Sequence, residues 1–193
     1  MEPILFIHGF SGGRFHYLPI ENYLKKKGIK KIYEFNYKKN FGQVSLREIA
    51  KELDGFIKEN VKEKQISIVA ISQGGLIAHC YIQNYKNKVK KCISVCTPYK
   101  GTWWANVSSF LNSGLKDLSM NSNFIKEINA GMNKEGRKIK LYSIWTPFDI
   151  IVFPGVSAKL KGSKSKMVWA IEHHLAFWSF ATKKAIYEFL RQK

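Results

Sequence analysis

Residues 70–75, AISQGG, set Ser72 between Ala70 and Gly74 directly after the apolar run QISIVAI. A serine hydroxyl is a poor nucleophile until a base removes its proton, so a reactive serine must be held rigidly, exposed and within reach of that base. A tight strand-to-helix turn does this. It tolerates only small neighbours, because strand and helix almost touch there. Ala70-x-Ser72-x-Gly74 fits the nucleophile elbow, with Ala replacing the first Gly of G-x-S-x-G. Such triplets also arise by chance, and Ser before Gly often just ends a strand, so context decides. Residues 65–71 are apolar and β-branched, as a buried parallel strand is, and LIAHCYIQNYK from Leu76 reads as a helix with Leu76, Ile77, Cys80 and Tyr81 on one face.

Such a serine needs a base, an acid to orient the base, and donors for the oxyanion. In elbow architectures the acid and then the histidine follow the serine in the chain. Of three aspartates, Asp54 precedes Ser72 and belongs to an amphipathic helix, and Asp117 sits in a polar stretch where a turn or cap explains it. Asp149, in a loop after an apolar strand, is the expected acid, with Glu172 the weaker rival. His8 and His16 precede the serine, and His79 lies on the helix leaving the elbow. The doublet His173-His174 remains. Either can be the base, and His174, next to the first apolar residues of the terminal helix, is preferred. One oxyanion donor is the N–H of the residue after the serine, Gln73; HGFSGG, residues 8–13, supplies the other through Phe10. That loop lacks the Lys-Ser/Thr of a P-loop and the G-x-G-x-x-G spacing.

The elements that must position these residues alternate. Strand-like runs at about 3–8, 31–37, 65–71, 91–97, 138–145 and 167–172 are separated by helical patterns. The clearest helix is SLREIAKELDGFIKENV, with an apolar stripe behind a Ser45 cap and Glu48. This predicts one α/β domain over 1–193: about six strands in a mainly parallel sheet, helices on both faces, and ligands beyond the strand carboxyl ends.

With these motifs in place the chain resembles a small α/β-hydrolase of the bacterial lipase and esterase type, through ILFIHGF, VAISQGG, CTPYKGT, DLSMNSNF, TPFDIIVFP and HHLAFWSF in the family's order. The resemblance implies a triad of Ser72, Asp149 and His174, an oxyanion hole at Phe10 and Gln73, and ester hydrolysis through an acyl-enzyme without metal or organic cofactor. Acyl transfer and phospholipase activity use the same machinery. Ile71 departs from the histidine many relatives carry before the serine, and Tyr99-Lys100 from a common His-His pair. Segment 101–131 is too short for a large cap. Its Trp103, Trp104, Phe110, Leu111, Leu115 and Met120 read mostly as core, with one of the two tryptophans expected to line an acyl pocket.

Composition bounds the rest. Three cysteines in helix and strand segments, without metal-type spacing, read as small hydrophobes rather than disulfides or a zinc site. No apolar run approaches the ~20 residues of a membrane span, and the N-terminus lacks a signal-peptide pattern, so a cytoplasmic protein is expected. The formal charge of +18, with no acidic residue between Glu63 and Asp117, predicts an electropositive surface. Nucleic-acid binding is the reading from another class, but no recognisable nucleic-acid module is present. The expected partner is a small ester or lipid, with attraction to anionic lipid surfaces as a lesser expectation. Oligomeric state is not legible.

Overall fold

In the computed structural model, which describes residues 1–38, 41–86, 88–108, 112–135 and 139–192, alternating hydrophobic runs build a six-stranded sheet. Its strands are β1 (Ile4–Ile7), β2 (Ile32–Phe35), β3 (Ile66–Ile71), β4 (Val89–Val95), β5 (Lys140–Trp145) and β6 (Lys164–Met167), in the order β2-β1-β3-β4-β5-β6. Every neighbouring pair is parallel. The helices are α1 (Leu18–Lys26), α2 (Leu46–Asn60), α3 (Gln73–Asn84), α4 (Trp103–Ser108), α5 (Ser113–Leu118), α6 (Asn123–Glu135), α7 (His173–Trp178) and α8 (Phe180–Arg191).

Both faces of the sheet are covered, because the central strands are apolar at successive positions, whose side chains alternate in direction. Leu5, Ile7, Ile68 and Ala70 pack with residues of α2, α3 and α6, while Ile4, Phe6, Val69, Ile71, Ile93 and Ile144 pack with α1, α7 and α8. The three cysteines are buried and unpaired by disulfides. The Ser45 hydroxyl accepts the Glu48 N–H at the start of α2, and Asp117, 71 residues away, accepts the Leu46 N–H there, so its turn-and-cap reading holds. No helix among the described residues is long and apolar enough to cross a membrane.

Three boundaries differ from expectation. α3 begins at Gln73 rather than Leu76, because Ser72 itself is the residue before its first turn. The last strand is 164–167, not 167–172. Its KSKM sequence suits an edge, where lysines discourage further pairing. Residues 168–171 leave the ladder after Val168 donates to the Trp145 carbonyl, and Thr146 Oγ1 then holds the Ala170 carbonyl at 2.7 Å. The terminal helical stretch is two helices separated at Ser179, whose hydroxyl accepts the Thr182 N–H and caps α8.

Two buried imidazoles give the fold a pH dependence. His79, edge-on to Tyr99, and His16, beside the first loop, are both pushed down to about 4: His79 by burial, and His16 by burial and then by the neighbouring histidines. Unfolded histidine titrates near 6.5. Between about pH 6.5 and 4 the unfolded chain therefore binds protons that the native chain does not, and stability falls as pH falls. The urea midpoint is expected to decline steadily across that window; a flat midpoint would show that both rings are protonated in the native state.

Candidate active site

β3 ends at Ile71, and Ser72 takes φ 50°, a left-handed conformation that costs a non-glycine residue energy. The turn is held by the Ser72 N–H donating to the Val95 carbonyl at 2.7 Å and by Thr97 Oγ1 donating to the Ser72 carbonyl at 2.8 Å. Small residues are required here. A Cβ on Gly74 would lie 2.5 Å from the His8 carbonyl oxygen and 2.7 Å from that of Ile7, and one on Gly75 would lie 2.0 Å from Thr97 Oγ1. The serine lies at the wall of a cavity and is only 8% exposed.

Of the doublet, the structure brings His173 to the serine. His173 Nε2 lies 3.0 Å from Ser72 Oγ, and its Nδ1 lies 2.6 Å from Asp149 Oδ2. Asp149 is buried in the loop after β5, where its Oδ1 accepts the N–H groups of Ile151 and Val152 at 3.0 and 2.8 Å. It is therefore His173, and not the preferred His174, that the structure places between Ser72 and Asp149. Glu172, with φ 80°, caps α7 by accepting the N–H groups of His174 and Leu175, so the helix starts at His173 and not after the doublet. His173 then shares a buried face with Ala176 and Phe177, three and four residues on, its ring 4.6 Å from that of Phe177. His174 turns to the Glu172 carboxylate at 2.8 Å. Burial works to raise that carboxyl, but the His174 and Leu175 donors outweigh it and hold it below the ordinary range. Glu172 therefore serves α7 as its cap.

Phe10 and Gln73 both line the cavity with Ser72. Gln73 opens α3, so its N–H has no acceptor within the helix. The loop carrying Phe10 is pinned by two residues that sequence reasoning missed. Tyr37 stacks on His8 at 4.0 Å, donates to the carbonyls of His8 and Gly9, and accepts from Gln73 Nε2 at 3.1 Å. His16 Nδ1 accepts the Gly9 N–H at 3.2 Å, with its ring filling the space where a Gly12 Cβ would stand. The buried tyrosine two residues past β2 and the histidine shortly after a glycine-rich loop were the available signals.

The cavity, about 370 Å³, is walled by Phe10, Pro98, Thr102, Trp104, Leu115 and Ile151 among others. Of the two tryptophans, Trp104 is in this wall, its Nε1 donating to the Ile150 carbonyl at 3.0 Å, while Trp103 stands edge-on beside it. Phe110 and Leu111 lie outside the described residues. Among the described residues one cluster has metal-type donors, Cys96, Asp149 and His173. Two of these three hydrogen-bond each other, and the Cys96 thiol is pushed well up by burial and the adjoining Asp149.

A family model described as palmitoyl protein thioesterase matches residues 3–148. The chain belongs to this family. No curated protein matches its sequence. Among solved structures, the mature lipase of Bacillus licheniformis superposes with a TM-score of 0.74 at 15% identity, covering 98% of this chain and 91% of that one. A lipase-esterase related protein from Clostridium acetobutylicum gives 0.73 at 13%, covering 97% and 93%. The monoacylglycerol lipase of Paleococcus ferrophilus gives 0.67 at 18%, covering 97% and 93%. The sheet is thus that of an α/β-hydrolase, and the palmitoyl protein thioesterase family member is a hydrolase of the lipase and esterase type.

His16→Leu removes the acceptor of a buried N–H and is expected to cost about 1–3 kcal/mol of stability. His16→Asn, which offers Oδ1 near the position of Nδ1, is expected to recover part of it. Urea unfolding of both variants checks this; equal losses would show that only the ring's volume matters.

Proposed function

We propose that the chain hydrolyses acyl esters, thioesters included, with Ser72 as nucleophile, His173 as general base and Asp149 as its orienting acid. The observation that carries this is the unbroken hydrogen-bonded line from Ser72 Oγ through His173 to Asp149 Oδ2. With Nδ1–H donated to Asp149, Nε2 is left as the acceptor for the serine proton. Ser72 Oγ attacks the acyl carbon as His173 takes its proton, and the N–H groups of Phe10 and Gln73 hold the oxyanion. The C–O or C–S bond then breaks, and His173 returns the proton to the leaving group. Water, deprotonated by the same imidazole, attacks the acyl-serine and frees the acid.

The apolar cavity wall supports an acyl chain as the bound half of the substrate, and the family's description supports a thioester as one leaving-group class. Asp149 works by holding the tautomer and stabilising the imidazolium, not by taking the proton itself.

Ser72→Ala and His173→Ala are each expected to lower kcat by several orders of magnitude on p-nitrophenyl esters and on acyl thioesters, with circular dichroism unchanged. His174→Ala, whose ring faces Glu172, is expected to keep most of the activity. A folded Ser72→Ala protein with full turnover would sink the reading. The opposite result for the two histidines would require the site to rearrange when substrate binds.

A further inference from the structure

The loops around the cavity mouth expose large apolar side chains. The turn after β5 exposes Phe148, Ile150 and Phe153, the segment after β6 exposes Trp169 and Ile171, and Leu175 stands exposed on α7. Trp169 and Ile171 are 71% and 77% exposed. The turn after β5 links the others into a rim: the rings of Phe148 and Trp169 lie 5.6 Å apart, Thr102 and Trp104 of the cavity wall donate to the carbonyls of Ile151 and Ile150, and Ile171 and Leu175 flank His173, which meets Ser72 at the cavity. Residues 144–158 hold one charged side chain, the buried Asp149, and residues 167–171 hold none, in a chain of which 24% is charged. Large apolar side chains exposed together on neighbouring loops mark an interaction surface.

We propose that this rim docks the protein on an anionic lipid surface, with the cavity mouth turned toward the lipid. Charge selects the occupant. The chain carries +18, and exposed Lys100 and Lys116 come from the segments that also supply Pro98, Thr102, Leu115 and Leu118 to the cavity. The acids near the rim are engaged: Asp149 is buried with His173, Asp117 accepts the Leu46 N–H, and Glu172 caps α7. A second copy of the chain would bring +18 against +18. The apolar tips sit on separate loops outside the cavity, so each can enter a fluid surface independently, as interfacial segments do. The proposal rests on the hydrolase reading only for its purpose: an acyl chain could pass from the lipid into the cavity without crossing water.

The test uses the full chain carrying Ser72→Ala, so that no lipid is consumed, in cosedimentation with vesicles of phosphatidylcholine alone and of phosphatidylcholine mixed with phosphatidylglycerol. Binding is expected to favour the mixed vesicles and to weaken as salt screens the attraction. Adding Trp169→Glu and Ile171→Glu is expected to weaken it by about tenfold or more, while the same pair in the Ser72 protein leaves turnover of a soluble short-chain ester unchanged. Equal binding to both vesicle types at low salt, or undiminished binding by the substituted protein, overturns the proposal. So does a dimer in solution that the two substitutions dissociate, which would assign the rim to a second copy. Retention of a palmitoylated peptide without vesicle binding, lost on the same substitutions, would assign it to a protein partner. Vesicle binding is read without the serine, so its failure leaves the hydrolase reading standing, and loss of ester turnover with vesicle binding intact would fell only the latter.

Discussion

The contact between the first turn of α3 and the end of β1 sets the geometry of the whole site. Only hydrogen fits at Gly74 against the carbonyls of Ile7 and His8, and a Cβ on Gly9 would come within 2.9 Å of Ser72 Cβ. The turn that carries the serine and the loop that carries Phe10 are thus locked into one body. Tyr37 extends that body to the chain beyond β2, touching His8, Gly9 and Gln73 together. Because the loops are fixed by the sheet beneath them, Phe10, Ser72 and Gln73 are held in one fixed arrangement at the cavity wall.

Strain is concentrated around this body. Ser72, Cys96 and Glu172 all hold positive φ, at 50°, 49° and 80°, without being glycine. Such conformations cost on the order of 1–3 kcal/mol each and persist only where surrounding contacts over-determine them. The contacts are visible: the Cys96 N–H donates to the Ile144 carbonyl, the Ser72 N–H to that of Val95, and the Glu172 carboxylate takes three donors from the residues after it. Each strained residue sits in chain that has left a strand end, beside the hydrogen-bonded line of Ser72, His173 and Asp149.

The sheet, the tight turn at Ser72 and the loop position of Asp149 were legible because each rests on local pattern. Apolar runs of strand length, a serine between small residues and the scarcity of aspartate leave few alternatives. The choice within His173-His174 was not legible from adjacency to apolar residues. It depends on where α7 begins, and that is fixed by the Glu172 cap, a side chain first considered as a rival acid. The burial of residues 173, 176 and 177 on one helical face is the pattern that turns His173 inward. The last strand was misplaced because VWAI, following Met167, has the composition of a strand yet is carried over the sheet's end toward the histidine. Tyr37 and His16 were invisible for another reason: their partners are backbone groups of a distant or irregular loop, which no periodicity records.

The parallel order of the strands has a consequence for synthesis. Every ladder joins segments separated by an intervening crossover, so none can form from adjacent chain. As the chain emerges from the ribosome, the β1–β3 pair becomes available once residue 71 is out, and the turn at Ser72 gains its supports only when Val95 and Thr97 have followed. The imidazole that meets Ser72 lies 101 residues further on. Until those residues arrive the serine stands without the hydrogen-bond partner it has in the finished fold, so the line through it is completed only after the sheet beneath has been assembled.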